Sequence, residues 1–270
     1  MGKRSSPSRR GIAEWLFLLL IGGIYVFLTL PSVLTIPISL GGSRSVTFPP
    51  TEFSLDLYRR FFASPVWTGS LVESLIVGAA TAVLATLIGA FAAYGLARGN
   101  FIGQKLIGAI LLSPILVPSI VIALGVYFYF SQMKLIGTTT GLVLAHSILT
   151  IPYVIVVLLS GLRQLDQKIE TAAGIMGASP LRVFTHVVVP QLRYSLASAF
   201  LFAFLISFDE TVISWFIAGT HATTLPVVMY GSLKVEVAPE IAAAATMLSL
   251  TSITIILCYA IFQKQEKSAA

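Results

Sequence analysis

Residues Leu71–Ala97 read LVESLIVGAATAVLATLIGAFAAYGLA, 27 residues whose single formal charge, Glu73, stands near the start. A bilayer core about 30 Å thick is crossed by about 20 apolar residues in a helix, so this stretch predicts a transmembrane helix. The alternating ten-residue pattern of a barrel strand is absent, and a helix satisfies its own backbone hydrogen bonds in lipid. Gly78, Ala82, Thr86, Ala90 and Ala93 recur every three or four residues, a stripe of small side chains on which another helix can pack closely.

Comparable stretches lie on both sides, near Trp15–Ile36, Leu106–Phe130, Leu142–Leu162, Ser195–Gly219 and Ile241–Phe262. The whole chain agrees. Of 270 residues 56% are apolar and 10% charged, with a mean hydropathy of +0.92, which excludes an aqueous globular fold. The expected fold class is all-α and polytopic, with six transmembrane helices. Its expected organisation is a tail (1–14), a first helix (15–36), an external segment (37–70), a five-helix core (71–262) with a cytoplasmic loop (163–193), and a tail (263–270). The basic start followed by an apolar core resembles a secretory signal. That core is long and no small-x-small site follows, so an uncleaved first helix is expected.

The net charge of +6 comes from 17 Lys+Arg against 11 Asp+Glu. Its placement matters more than its size. Lys3, Arg4, Arg9, Arg10, Arg98, Lys105, Arg163, Lys168, Arg182, Arg193, Lys264 and Lys267 fall on one side of the six spans, and Arg44, Arg59, Arg60, Lys134 and Lys234 on the other. The positive-inside rule then puts both termini in the cytoplasm, and no nucleic-acid partner is needed to explain the charge. The one cysteine, Cys258, lies in an apolar run and makes no disulfide framework. His146, His186 and His221 stand in different segments without i, i+4 partners, so no metal site is expected.

In the external segment Leu55–Phe62 mixes apolar residues at helical spacing with charges, as in a helix lying at the bilayer surface; it is either an anchor or a docking surface for an external partner. Pro114, Pro118 and Pro152 interrupt the third and fourth spans. Each removes a backbone donor at depth, either merely bending its helix or opening a solute path.

The longest cytoplasmic segment, Arg163–Arg193, has an architecture of its own. Asp166 predicts an N-cap for a first short helix, Gly177 weakens its end, and Ser179-Pro180 supplies a cap and first-turn proline for a second. Glu170, Ala173, Gly174 and Gly177 share one face with little bulk, which admits either a partner or the chain's own spans.

This segment resembles the cytoplasmic coupling signature of ABC importer permeases: EAA, three residues, Gly, nine residues, Ile-x-Leu-Pro. Ala172 and Ala173 take the alanine positions, Gly177 the glycine, Val187 and Val189 the aliphatic positions and Pro190 the proline. Thr171 holds the strict acidic position, with Glu170 one residue earlier; which of them, if either, makes the acidic contact with the ATPase stays open. Ser207–Ser214, Leu225-Pro226 and Val237–Ile241 resemble the C-terminal half of the spermidine/putrescine-type permeases, a group that also handles opine-like solutes.

The resemblance implies a type I importer fold with a cytoplasmic coupling helix. It also implies a complex in a bacterial inner membrane with ABC ATPase subunits, a second permease, expected to be a different chain, and an external solute-binding protein. Glu170, Thr171, Ala172, Ala173, Gly177 and Pro190 are the ATPase-coupling residues it implies. The expected cargo is a small organic cation such as spermidine or putrescine, with an opine, amino-acid derivative or other small solute as the alternative. The chain has no G-x-x-x-x-G-K-[ST], so it carries no cofactor of its own, and ATP and Mg²⁺ are expected on the partner ATPase.

Asp209 and Glu210 fall within the fifth span, where an ionised side chain costs about 2.5–3.5 kcal/mol. They are candidates to line the cargo path; the alternatives are a contact to the second permease or a capped break in the helix. As helical neighbours they point about 100° apart and are expected to occupy different environments. Glu73 is a further path candidate, unless it is simply solvated at the interface. Tyr153 and Trp215 offer aromatic faces to an ammonium group, with core or interfacial packing the plainer expectation for both. Two other functions compete. An intramembrane aspartyl protease needs two aspartates on separate spans, whereas Asp209 is alone in the spans; a channel or docking protein would not require the coupling pattern.

Overall fold

A computed structural model describes residues 12–42, 48–50, 52–219, 222–235 and 238–269. His221 lies outside them. Among the described residues the regular secondary structure is helical, apart from one isolated bridge between Gly41 and Phe53. In chain order the helices are α1 (Ile12–Ser39), α2 (Asp56–Ala63), α3 (Pro65–Arg98), α4 (Gln104–Leu112), α5 (Ser119–Gln132), α6 (Thr139–Gln164), α7 (Gln167–Ile175), α8 (Pro180–Val183), α9 (Val189–Gln191), α10 (Arg193–Asp209), α11 (Val212–Ile217), α12 (Leu225–Val235) and α13 (Glu240–Ala269). A 3₁₀ turn, Ser113–Ile115, follows α4, and a π turn, Phe184–Val188, joins α8 to α9.

These elements form two compact units. One comprises Met1–Ser64 and Ser232–Ala270. In it α1 packs along α13, and α2 lays Leu57 and Phe61 against α13 while Arg59 and Phe62 stay exposed. Large apolar residues of α1, from Trp15 to Val33, remain exposed, as suits a helix solvated by lipid tails.

The other unit, Pro65–Gly231, is built around α6. More than half of its apolar window is buried, and α3 and α10 are its principal neighbours. Small residues let these helices approach. A Cβ on Gly78 would stand 3.0 Å from the Phe204 ring of α10, and one on Gly89 would meet Val154 of α6. Ala82, Ala85 and Ala93 are buried between the same helices, so the stripe read in the sequence is the packing face, with Thr86 and Ala90 at its margin.

The structure sharpens three expectations of span geometry. α1, α3 and α6 are each long and apolar enough to cross a bilayer alone, and the third span, expected over Leu106–Phe130 with interruptions at Pro114 and Pro118, is a bent pair. α4 and α5 meet at 101° across the 3₁₀ turn, because Pro114 and Pro118 remove two donors within five residues and Pro118 is extended. The fifth span, expected over Ser195–Gly219, is bent by 81° from the preceding loop at Leu192 and stops at Asp209, with α11 starting again at Val212. The segment between the first two spans is also shorter than 37–70, since α1 continues to Ser39 and α3 begins at Pro65. Proline lacks only an N–H that the first turn of a helix leaves unpaired anyway.

Candidate solute path and coupling knob

The ends of α10 face two different constructions. At its C-terminus the helix halts between Asp209 and Glu210, where Glu210 turns extended (φ −70°, ψ 110°) and its Oε1 accepts the Ile213 N–H at 2.9 Å, capping α11. A cavity of about 470 Å³ opens beside this break. It is lined by Asp209 and Glu210, by Leu149 and Tyr153 of α6, by Leu205 and Ile206 of α10, and by Pro114, Ile115, Val117 and Ser119 of the other break. Among the described residues the lining holds two carboxylates and no Lys or Arg. Both interruptions of the spans therefore converge on one volume, and the acids read as lying in different environments share it, because the helix ends between them.

His146 braces the break. Completely buried on α6, it places Nδ1 2.8 Å from Ser207 Oγ, before the break, and Nε2 2.8 Å from Ser214 Oγ, after it. Sequence reasoning weighed His146 only as a metal ligand and gave Ser207 and Ser214 no role of their own. The available signal was that each is a polar side chain inside an apolar span, where a partner is required.

Two path candidates lie elsewhere. Glu73 lines a separate recess of about 340 Å³ with Ser70, Thr223 and Val228, and its Oε1 accepts the Thr139 hydroxyl at 2.6 Å. Trp215 packs edge-on against Tyr230 of α12, with ring centroids 5.3 Å apart, which is the packing role and not a place in the main cavity.

At the other end of α10, about 25 Å along its 17 residues, sits the knob of loop 163–193. Asp166 Oδ1 caps α7 by accepting Lys168 N–H at 3.0 Å, and Ser179 Oγ caps α8 through Arg182 N–H at 3.4 Å. Gly177 takes φ +89°, and the Ala178 N–H reaches back to Ala173 O at 3.1 Å, so the helix closes on a left-handed residue. Pro190 cannot donate to the turn before it, and the chain widens there into the π turn.

The low-bulk face of α7 does not stay whole. Gly174 and Gly177 are open, with nothing near an added Cβ, while Glu170 and Ala173 turn inward. Glu170 is 9% exposed and accepts from Arg98 Nε and Nη2 at 2.9 and 2.8 Å and from Tyr94 OH at 3.2 Å. Thr171 and Ala172 are exposed, and the Thr171 hydroxyl donates back to Gln167 O. The carboxylate therefore points into this chain, not outward. Arg98 and Tyr94 were not singled out from sequence; Arg98 served there only as a topology marker.

A cavity at broken spans and a capped knob on the same helical body fit a transmembrane transport subunit. The chain belongs to the family described as binding-protein-dependent transport system inner membrane component, whose model matches residues 85–266. It is therefore a permease subunit of an ABC importer, a non-catalytic membrane component of a system with ATPase and solute-binding partners. It is 32% identical over 243 residues to the putrescine transport system permease protein PotI of Escherichia coli K12, covering 87% of this chain and 86% of that one. It is 28% identical over 233 residues to the spermidine/putrescine transport system permease protein PotC of Haemophilus influenzae, covering 86% and 90%. The fold matches the crystal structure of a bacterial ABC transporter involved in import of the acidic polysaccharide alginate, with a TM-score of 0.72 at 14% identity, covering 96% of this chain and 99% of that one.

Proposed function

We propose that this subunit moves a small organic cation, a polyamine of the putrescine or spermidine kind, across a bacterial inner membrane by alternating access. The observation that carries the reading is the cavity where Asp209 and Glu210 meet without a neutralising Lys or Arg in the lining. Carboxylates in a low-dielectric site favour a cationic guest, and the Tyr153 ring in the same wall offers its face to an ammonium group. The names of the relatives PotI and PotC support the same cargo class.

The power stroke enters through loop 163–193. Exposed Ile175, Met176 and Leu181 give the knob an apolar outer surface for an ATPase subunit, which holds the ATP and Mg²⁺. Closure of the ATPases shifts the knob, and solute binding biases the cycle by contacting the two states differently. A second permease, a different chain, completes the path, and an external binding protein delivers the solute. Both termini lie in the cytoplasm, in keeping with the distribution of Lys and Arg.

The test is uptake into vesicles holding the whole complex, driven by ATP, with labelled putrescine or spermidine challenged by an anionic opine. Saturable polyamine uptake unaffected by the opine is expected. Polyamine-insensitive uptake of the opine would overturn the cargo assignment.

A further inference from the structure

On α7, only Glu170 and Ala173 are buried, and the helix's close backbone neighbours are the α8 and π-turn segments that follow it. Its attachment to the long helices is therefore made by side chains. Glu170 Oε1 takes both Arg98 Nε and Nη2, while Oε2 takes the Tyr94 hydroxyl. Arg98 Nη2 also donates to Leu162 O at 3.0 Å, a carbonyl in the last turn of α6 that also accepts the Leu165 N–H at 3.3 Å. One guanidinium thus joins α3, α6 and α7. The same two turns of α3 hold the second half of the knob, since the Phe184 ring lies 4.9 Å from the ring of Tyr94 and 5.0 Å from that of Phe91.

We propose that Arg98, Glu170 and Tyr94 are the transmission link of the importer. They are positioning residues that pass displacement of the coupling knob to α3 and α6, and the Glu170 carboxylate makes no contact with the ATPase. The inference rests on the transport reading above and adds the route by which the knob moves the cavity walls. Charged, multiply hydrogen-bonded contacts suit this task because they are directional and strong where water is scarce. The side chain of Arg98 is 15% exposed and that of Glu170 9%, so removal of either leaves the other charge buried and unpaired. The walls that would receive the motion carry Leu149 and Tyr153, on α6 itself, and Leu205, Ile206 and Asp209, on α10, which packs on α3 and α6.

The experiment uses the full complex in vesicles, reading assembly, ATP hydrolysis and labelled spermidine uptake on the same preparation. Uptake by the unmodified complex is read first; its absence fails the transport reading and leaves the link to be judged on hydrolysis and assembly. Glu170→Gln is expected to assemble and hydrolyse ATP within about twofold of the unmodified complex while uptake per ATP falls about tenfold. Arg98→Gln is expected to do the same, and the double variant Arg98→Gln/Glu170→Gln to be no worse than either alone, because it leaves no unpaired charge. Tyr94→Phe keeps both charges and serves if the ion-pair variants do not assemble; a smaller fall in uptake per ATP is expected. Losses that multiply in the double variant, unchanged coupling in Tyr94→Phe, or loss of ATPase binding by Glu170→Gln with Arg98→Gln intact would each overturn the link.

Discussion

His146 Nε2 stands 2.8 Å from Ser214 Oγ, a contact that ties the middle of α6 to the short helix beyond the Asp209–Glu210 break. Its other nitrogen holds Ser207, so one imidazole spans the interruption that opens the cavity. His146→Ala would leave two buried hydroxyls without that partner. A loss of about 1–3 kcal/mol is expected, read as a lower thermal midpoint of the purified complex in detergent, with His146→Gln recovering part of it. An unchanged midpoint would show that the brace contributes nothing.

Asp209 and Glu210 separate charge from structure. Glu210→Gln keeps an oxygen able to cap the Ile213 N–H and loses the charge, whereas Glu210→Ala loses both. Glu210→Gln and Asp209→Asn are each expected to raise the KM for a cationic solute by about tenfold, equivalent to about 1.4 kcal/mol, at normal expression. Glu210→Ala is expected to lower expression as well. If both charge-neutral variants take up the cation as before, the electrostatic role is wrong.

Gly177 is held at φ +89°, a conformation costing a side-chain-bearing residue about 1–2 kcal/mol. Gly177→Val should distort the knob and uncouple hydrolysis from uptake, or prevent assembly with the ATPase. Gly174 offers a contrast, since an added Cβ there meets nothing within 4 Å. Gly174→Leu is expected to leave the isolated subunit as stable as before while weakening its binding to the ATPase, measured by co-purification. Equal binding by Gly174→Leu would remove this face from the contact.

Gly219 and Gly137 bring two backbones together. The Gly137 N–H donates to Ile217 O at 2.8 Å, and a Cβ on Gly219 would lie 2.7 Å from the Gly137 Cα. Neither neighbour can rotate away. Gly219→Ala is therefore expected to reduce the yield of folded protein several-fold by fluorescence-detected size exclusion, whereas Gly95→Ala, where nothing lies within 4 Å, should behave as the parent.

Much of the fold was legible because it rests on local rules. The apolar runs of α1, α3 and α6, the caps at Asp166 and Ser179, the stop at Gly177 and the weak points at Pro114 and Pro118 all act within a few residues of where they stand. The fifth span misled for a local reason too: Asp209-Glu210 reads as two neighbours on a continuous helix, and Glu210's action as a cap depends on the helix having ended. For the site, Asp209, Glu210 and Tyr153 were named as one set with Glu73 and Trp215, but nothing in the order of residues says that the first three share a wall and the last two do not.

Sequence by itself determined that this chain is a helical membrane protein with a capped knob between two spans, since hydropathy, glycine conformation and helix capping are properties of short segments in a given solvent. Tertiary structure alone decided which way Glu170 faces, which helices His146 joins and where the two broken spans converge. Those outcomes depend on pairs such as Arg98 and Glu170, 72 positions apart. A buried polar group must find a partner, but its own sequence neighbourhood does not say which distant one the packing of the helices will bring within reach.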